Sequence, residues 1–156
     1  VVLGVLALSA CERREAAAPA PEAARFSHRL SDDISGEYRP VGREGDQLVA
    51  SLFVGQEQAF AAWEAGRRDS PPLILSLTGP QDEVRVTLKA YSVTDSTVQM
   101  TGATPDGGAV QLQARLDQGA LATARRNLGD QTPVITGSLT RDGRRALFAL
   151  GWWGGD

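Results

Sequence analysis

The sequence predicts an all-β fold: an antiparallel meander closed into a small barrel or sandwich, with one short helix near residues 56–66. Two patterns carry this. Apolar residues recur at every second position in several runs, as they must on a sheet with one dry and one wet face. Between the runs stand short glycine-bearing turns at hairpin spacing, where glycine supplies the positive φ that tight hairpins need. The 156 residues include 17 glycines, 8 prolines, 16 basic and 19 acidic side chains, one histidine and one cysteine. That length suits one domain. A net charge of −3 excludes a generically basic, nucleic-acid-binding domain. The single cysteine excludes an internal disulfide and any thiolate-rich metal site.

Residues 1–10 carry no charge and are nearly all aliphatic. Such a run is too short to span a bilayer, which takes about 20 apolar residues. It matches the apolar centre of a secretory signal peptide, about 7–15 residues long. Neither an initiator methionine nor a basic region precedes it, so we read it as the C-terminal part of a signal peptide whose true start is missing. Leu8-Ser9-Ala10-Cys11 comes next. This motif resembles the lipobox of bacterial lipoproteins, with an aliphatic residue and two small ones before the cysteine. The resemblance implies cleavage just before Cys11, a diacylglyceryl group on its thiol, and a lipid-anchored place in the bacterial cell envelope, facing the periplasm in a Gram-negative cell.

Residues 12–24 read ERREAAAPAPEAA and hold no aromatic or β-branched side chain. They cannot bury enough apolar surface to offset their ordering entropy. Their Ala-Pro repeats favour an extended chain of about 3.1 Å per residue, a reach of up to about 40 Å. The lipidated cysteine and this tether occupy 11–25, and 26–156 form one β-domain.

Strands are expected near 34–41, 47–54, 72–78, 83–92, 97–102, 109–117, 119–127, 133–140 and 145–152. Val84, Val86, Leu88 and Ala90 alternate with Arg85, Thr87, Lys89 and Tyr91, and Val110, Leu112, Ala114 and Leu116 with Gln111, Gln113 and Arg115. The first set of each should be buried and the second wet. Turns are expected at Gly42 to Asp46, Thr94-Asp95-Ser96, Pro105 to Gly108, Asp117-Gln118-Gly119 and Arg141-Asp142-Gly143. Residues 56–65 lack alternation, and Ala59, Phe60, Ala62 and Trp63 cluster on one helical face, with Gly66 as the stop. Pro71-Pro72 blocks continuation and turns the chain into Leu73, Leu75 and Leu77. Gly36-Glu37-Tyr38 on the first strand of such a meander is similar to the Gly-x-Trp of lipocalin-type barrels, with tyrosine in place of tryptophan. That likeness licenses no ligand residue.

Catalytic signatures are lacking in the sequence. There is no Gly-x-Ser-x-Gly, phosphate loop, His-Glu-x-x-His or Cys-x-x-Cys. Lys89, the sole lysine, reads as a solvated amine, and His28, the sole histidine, as an exposed residue where tether meets domain. Asp32-Asp33 and Asp82-Glu83 stand beside turn formers and read as turn caps or solvated acids. No metal, cofactor or catalytic role is expected.

Two features suggest a surface that binds. Arginine, 15 of the 16 basic residues, occurs in pairs at Arg13-Arg14, Arg67-Arg68, Arg125-Arg126 and Arg144-Arg145. Its planar fork suits carboxylate and phosphate, which points to an anionic envelope polymer or lipid head groups. Trp152-Trp153 near the end should place one ring inward and the other outward, where it can anchor a partner. The expected interaction surface therefore combines Trp152 and Trp153 with Arg144 and Arg145. The expected function is that of a membrane-anchored envelope lipoprotein with a non-catalytic binding or accessory β-domain. Its partners would be the membrane, through lipid on Cys11, and another envelope protein or an anionic envelope polymer, with no nucleic acid. A lipocalin-like carrier of a small apolar ligand is the alternative, and it calls for a hollow interior.

Overall fold

The structure, a computed structural model, describes residues 25–42 and 48–155; the apolar leader, Cys11 and the 12–24 tether lie outside them. The first half of the chain forms β1 (Phe26–Arg29), β2 (Gly36–Pro40), β3 (Val49–Val54), helix α1 (Glu57–Glu64), β4 (Leu73–Leu77) and β5 (Val84–Arg85). The second half forms β6 (Thr87–Thr94), β7 (Thr97–Ala103), β8 (Ala109–Leu116), helix α2 (Gln118–Arg126), β9 (Ile135–Arg141) and β10 (Arg144–Trp153).

All ten strands join one sheet in the order β1-β6-β7-β8-β9-β10-β2-β3-β4-β5. Every pairing is antiparallel except β1 on β6, which is parallel. The sheet curls into an open half-barrel, so the expected closed antiparallel meander is corrected to an open, mixed sheet with one parallel pairing. The reason lies along one edge of a bent strand. β5 pairs with β4 as far as Arg85, and the Val86 amide donates to Leu75 O at 2.9 Å. Past a bulge between Leu88 and Ala90 the edge turns away from β4, and Phe26–Arg29 pairs with Tyr91–Thr94 instead.

That bulge also corrects the inside–outside assignment. A bulge gives one strand an extra residue, here Lys89, and so reverses the alternation beyond it. Val86 is buried and Thr87 exposed as expected, but Val84, Leu88 and Ala90 are only half-buried. Tyr91, expected on the wet side, is buried together with Val93. On β8 no bulge intervenes, and the pattern holds throughout: Val110, Leu112, Ala114 and Leu116 are buried and Gln111, Gln113 and Arg115 exposed.

The buried set forms one cluster running from Phe26 to Leu150. Tyr38 lies within it, fully buried, its hydroxyl donating to Ile34 O at 2.6 Å. Burial pushes that phenol's pKa up. Helix α1 forms where expected and turns Phe60 and Trp63 into the core, packing against β1. Helix α2 was not expected; its residues were assigned to a strand at 119–127. Asp117-Gln118-Gly119 is a helix start rather than a hairpin turn, since the Asp117 carboxylate accepts from the Ala120 amide at 2.9 Å. Leu121 and Ala124, three apart, form the buried face, and Arg125 and Arg126 close the last turn, where cations suit the helix dipole.

Candidate functional site

The expected surface combined Trp152, Trp153, Arg144 and Arg145, but the structure puts the two pairs at opposite ends of β10. The pairs are offset by eight positions along the strand, about 26 Å. They form no common surface.

At the tryptophan end each ring is engaged by the protein itself. Trp152 is half-buried against the core, with the Arg125 guanidinium 5.7 Å from its centroid. Gly36, at φ +141°, lies directly against the indole, and a Cβ there would collide with Trp152 Nε1. Arg125 is held in turn by Asp33 O at 2.7 Å and Ser35 O at 2.8 Å. Trp153, on the other face of the strand, is also half-buried, with the Arg39 guanidinium 3.4 Å from its centroid. Arg39 Nε donates to Glu37 at 2.8 Å. An outward tryptophan was expected as a free anchor; here a protein cation lies over it.

At the other end Arg144 and Arg145 open β10. Strand β2 pairs only with Leu150–Trp153, so it leaves the first half of β10 unpaired on that side among the described residues. A cleft of about 590 Å³ fills the gap, lined by Leu48, Thr78, Arg141, Asp142, Arg144, Arg145 and Ala146. Arg141 is partly neutralised, 3.7 Å from carboxylate oxygens of both Asp106 and Asp142. Hydrogen bonds from the Thr104 hydroxyl and the Gly108 amide, with Arg141 nearby, hold the Asp106 carboxyl below its usual range. Arg144 and Arg145 are exposed, and neither side chain has an ion-pair or hydrogen-bond partner among the described residues. The contrast with Arg39, Arg68 and Arg125 is one of engagement, not of residue type.

Arg145 also belongs to a second surface. Across the outer face of β7, β8, β9 and β10 one row in register runs Thr101, Gln111, Thr140, Arg145. The next runs Gln99, Gln113, Ser138, Leu147, and the third Thr97, Arg115, Thr136, Ala149. These rows contain hydroxyls, amides and two arginines, and no carboxylate. A groove of about 590 Å³ lies over the second and third rows, edged by Leu147, which is 75% exposed.

The remaining sequence candidates have other duties. His28 is not an exposed junction residue: it sits in β1, its side chain 14% exposed, and its Nδ1 meets Glu64 Oε1 at 2.9 Å. The same oxygen accepts from the Tyr91 hydroxyl at 2.9 Å, and burial, then that carboxylate, push the Tyr91 phenol up. Phe26, Phe60, Trp63 and Tyr91 pack ring against ring beside this pair, and Arg68 lies 4.6 Å from the Trp63 centroid while donating to the Trp63 carbonyl. This seam fastens α1 and β1 to the sheet. Asp33 accepts from the Ser35 amide as a turn cap, while Asp82, Glu83 and Lys89 are exposed. Sequence reasoning missed Arg141 and the outer rows as parts of a site, although the Gln111, Gln113 alternation was already visible.

Comparison with protein-family models, with curated proteins and with solved structures found no match. What the arginine cleft can do is therefore argued from its chemistry: hold an anion by charge-assisted hydrogen bonds.

Proposed function

We propose that this chain is a membrane-anchored lipoprotein of the bacterial envelope whose β-domain binds an anionic envelope component without catalysis. The observation that carries the binding is the cleft at the start of β10, where Arg144 and Arg145 stand without partners among the described residues. Arg144 sits in register opposite Arg141 of β9, and like charges directly across a strand pair repel, a cost that a bound anion relieves. The lipobox-like Leu8-Ser9-Ala10-Cys11 and the Ala-Pro tether support the anchoring. One acyl chain binds a membrane only marginally, whereas two or three hold a protein stably. The antiparallel part of the sheet fits a meander that nearly closes as a small barrel, with β5 and β6 as halves of one bent strand. The carrier alternative wants an apolar hollow, and fully buried Tyr38, Leu52, Leu75, Leu112, Leu139 and Leu150 in one cluster weigh against it.

The test expresses the full precursor in bacteria beside a Cys11→Ser variant, follows detergent partitioning and lipid mass, and measures binding of soluble polyanions. The native form should enter the detergent phase with lipid on Cys11, and the variant should not. Binding should weaken with salt and with Arg144→Ala plus Arg145→Ala. A free Cys11 thiol on native protein in the aqueous phase would end the anchored reading, and binding indifferent to both arginines would end the cleft reading.

A further inference from the structure

Strand β10 is paired along only part of its edge toward β2. Asp142 and Gly143, at φ +49° and +79°, form the tight turn that joins it to β9 on its other edge. In an antiparallel strand, alternate residues direct their backbone groups to opposite edges. Leu150 O accepts from the Val134 amide on the β9 side, whereas Ala149 O accepts from the Val41 amide at 3.1 Å on the β2 side. Arg145 and Leu147 are in step with Ala149, so their amides and carbonyls also point to the β2 side. Val41 makes the last rung there, because Gly42, at φ +89°, leaves the extended conformation. The ladder groups of Arg145 and Leu147 on that edge have no partner among the described residues. The edge runs into the cleft, which Arg144, Arg145 and Ala146 line from β10 and Leu48 and Thr78 from the ends of β3 and β4.

We infer that this edge takes up an acidic segment of another protein as an added strand, antiparallel to β10 and continuing the line that β2 leaves at Val41. This rests on the cleft reading above and names the class of its partner.

The backbone selects a peptide. An extended chain presents N–H and C=O groups at the spacing of the open edge, whereas a phosphate polymer or lipid head group presents acceptors alone. The arginines select its sequence. Arg144 and Arg145 are successive, so their side chains leave β10 on opposite faces. One small anion does not meet both, but successive side chains of an added strand also lie on opposite faces. Two adjacent acids in register with the pair would each face one guanidinium across the ladder. Arg144 already stands opposite Arg141, so an acid on its free side offsets that like-charge contact. A second copy of this chain is a poor occupant, since pairing two β10 edges brings arginines together. Charge on an open edge discourages unselective pairing, and here its sign admits an acidic strand.

The experiment titrates the full chain with a capped extended peptide ending in Val-Thr-Val-Glu-Glu, whose acids would lie opposite Arg145 and Arg144. Its threonine and first glutamate would form the rungs with Leu147 and Arg145. N-methylating those two amides should weaken binding about tenfold or more, while methylating the second valine and last glutamate should cost no more than about twofold. Replacing both glutamates by glutamine should weaken binding about tenfold, and Arg144→Ala plus Arg145→Ala should erase the difference between the two peptides. Leu147→Pro removes one edge amide at a position where an open edge tolerates proline. It should weaken the peptide and leave polyphosphate binding unchanged, with circular dichroism checking the fold. Equal losses from the two methylation patterns would overturn strand addition, and so would a peptide that does not bind. In either case, polyphosphate binding lost with the arginines would leave the anion cleft standing. A dimer in sedimentation that Leu147→Pro dissolves would give the edge to a second copy and overturn the acidic partner. If the arginine variant is silent for every probe, the cleft reading fails with it.

Discussion

Arginines stand at both ends of β10 and behave oppositely there. At the C-terminal end, Trp152 and Trp153 each face an arginine whose own hydrogen bonds are supplied by the protein: Arg125 by two backbone carbonyls, Arg39 by Glu37. At the N-terminal end, Arg144 and Arg145 face a cleft and nothing else among the described residues. A paired guanidinium is already desolvated and oriented, so a ligand gains little from it. An unpaired one retains its full capacity for a bidentate contact. The difference teaches where to look for function on a surface rich in arginine: where the protein has left its own cations unanswered.

Breaking the tryptophan end should have the largest effect. Trp152→Ala removes a half-buried indole from between Gly36 and the core, and should cost about 2–3 kcal/mol, below the 3–5 typical of fully buried aromatics. Gly36→Ala should cost a similar amount by the opposite route, since a Cβ meets Trp152 Nε1 and φ is +141°. Thermal melts of both variants check this, and a midpoint unchanged in Gly36→Ala would mean that the indole moves freely.

Arg125→Ala comes next. It loses the hydrogen bonds to Asp33 O and Ser35 O and the contact with Trp152, a cost of about 1–2 kcal/mol in a denaturant titration. The variant should leave anion binding at the far end of β10 intact. Loss of binding in Arg125→Ala would join the two ends that the structure separates.

A smaller, pH-dependent effect belongs to the same end. Hydrogen bonds from Ser35, followed by the Arg125 charge, hold the Asp33 carboxyl below the ordinary carboxylate range. A depressed carboxylate stabilises the fold above its unfolded pKa, and that contribution is lost as pH falls through the folded value. Asp33 is largely exposed, so solvent screening keeps the effect slight. Asp33→Asn should flatten the acid limb of the stability profile below about pH 4 and leave neutral stability nearly unchanged. A wild-type limb as flat as the variant's would show that the Ser35 and Arg125 contacts do not persist in solution.

Much of this architecture was legible in the residues, and the failures have physical causes. Period-two alternation located β8, the Arg141-Asp142-Gly143 turn separated β9 from β10, and the cluster of Phe60 and Trp63 located α1. β1 was missed because Phe26–Arg29 is too short to show a period, and its burial depends on α1 and β6 closing over it. Helix α2 was misread because aspartate followed by glycine serves a hairpin turn and a helix N-cap equally well in isolation. Tyr91 was placed on the wrong face because a bulge leaves no mark in the hydrophobic pattern. Arg144 and Arg145 stood out in the sequence, but Arg68 and Arg125 did so equally. Only three-dimensional pairing separates the arginines that are engaged from those that are not.

Replacing Arg144 and Arg145 together should disturb stability least, and it decides the comparison. Neither side chain contributes an ion pair or a hydrogen bond to the described structure, and both are exposed. Alanine at such positions changes stability by no more than about 0.5 kcal/mol. Removing Arg144 also takes a like charge from the position opposite Arg141, so the change can fall on the stabilising side, and added salt should shrink the gap between wild type and variant by screening it. The matching substitutions at the other end, Arg39→Ala plus Arg125→Ala, should destabilise the protein and leave binding of a soluble polyanion unaltered. Four measurements complete the design: a denaturant midpoint and a polyanion affinity for each double variant. The expected result is a clean crossing, with stability lost at one end of β10 and binding lost at the other. A marked loss of stability in the Arg144, Arg145 variant would mean that these side chains are engaged by the protein after all, and the distinction between the two ends would collapse.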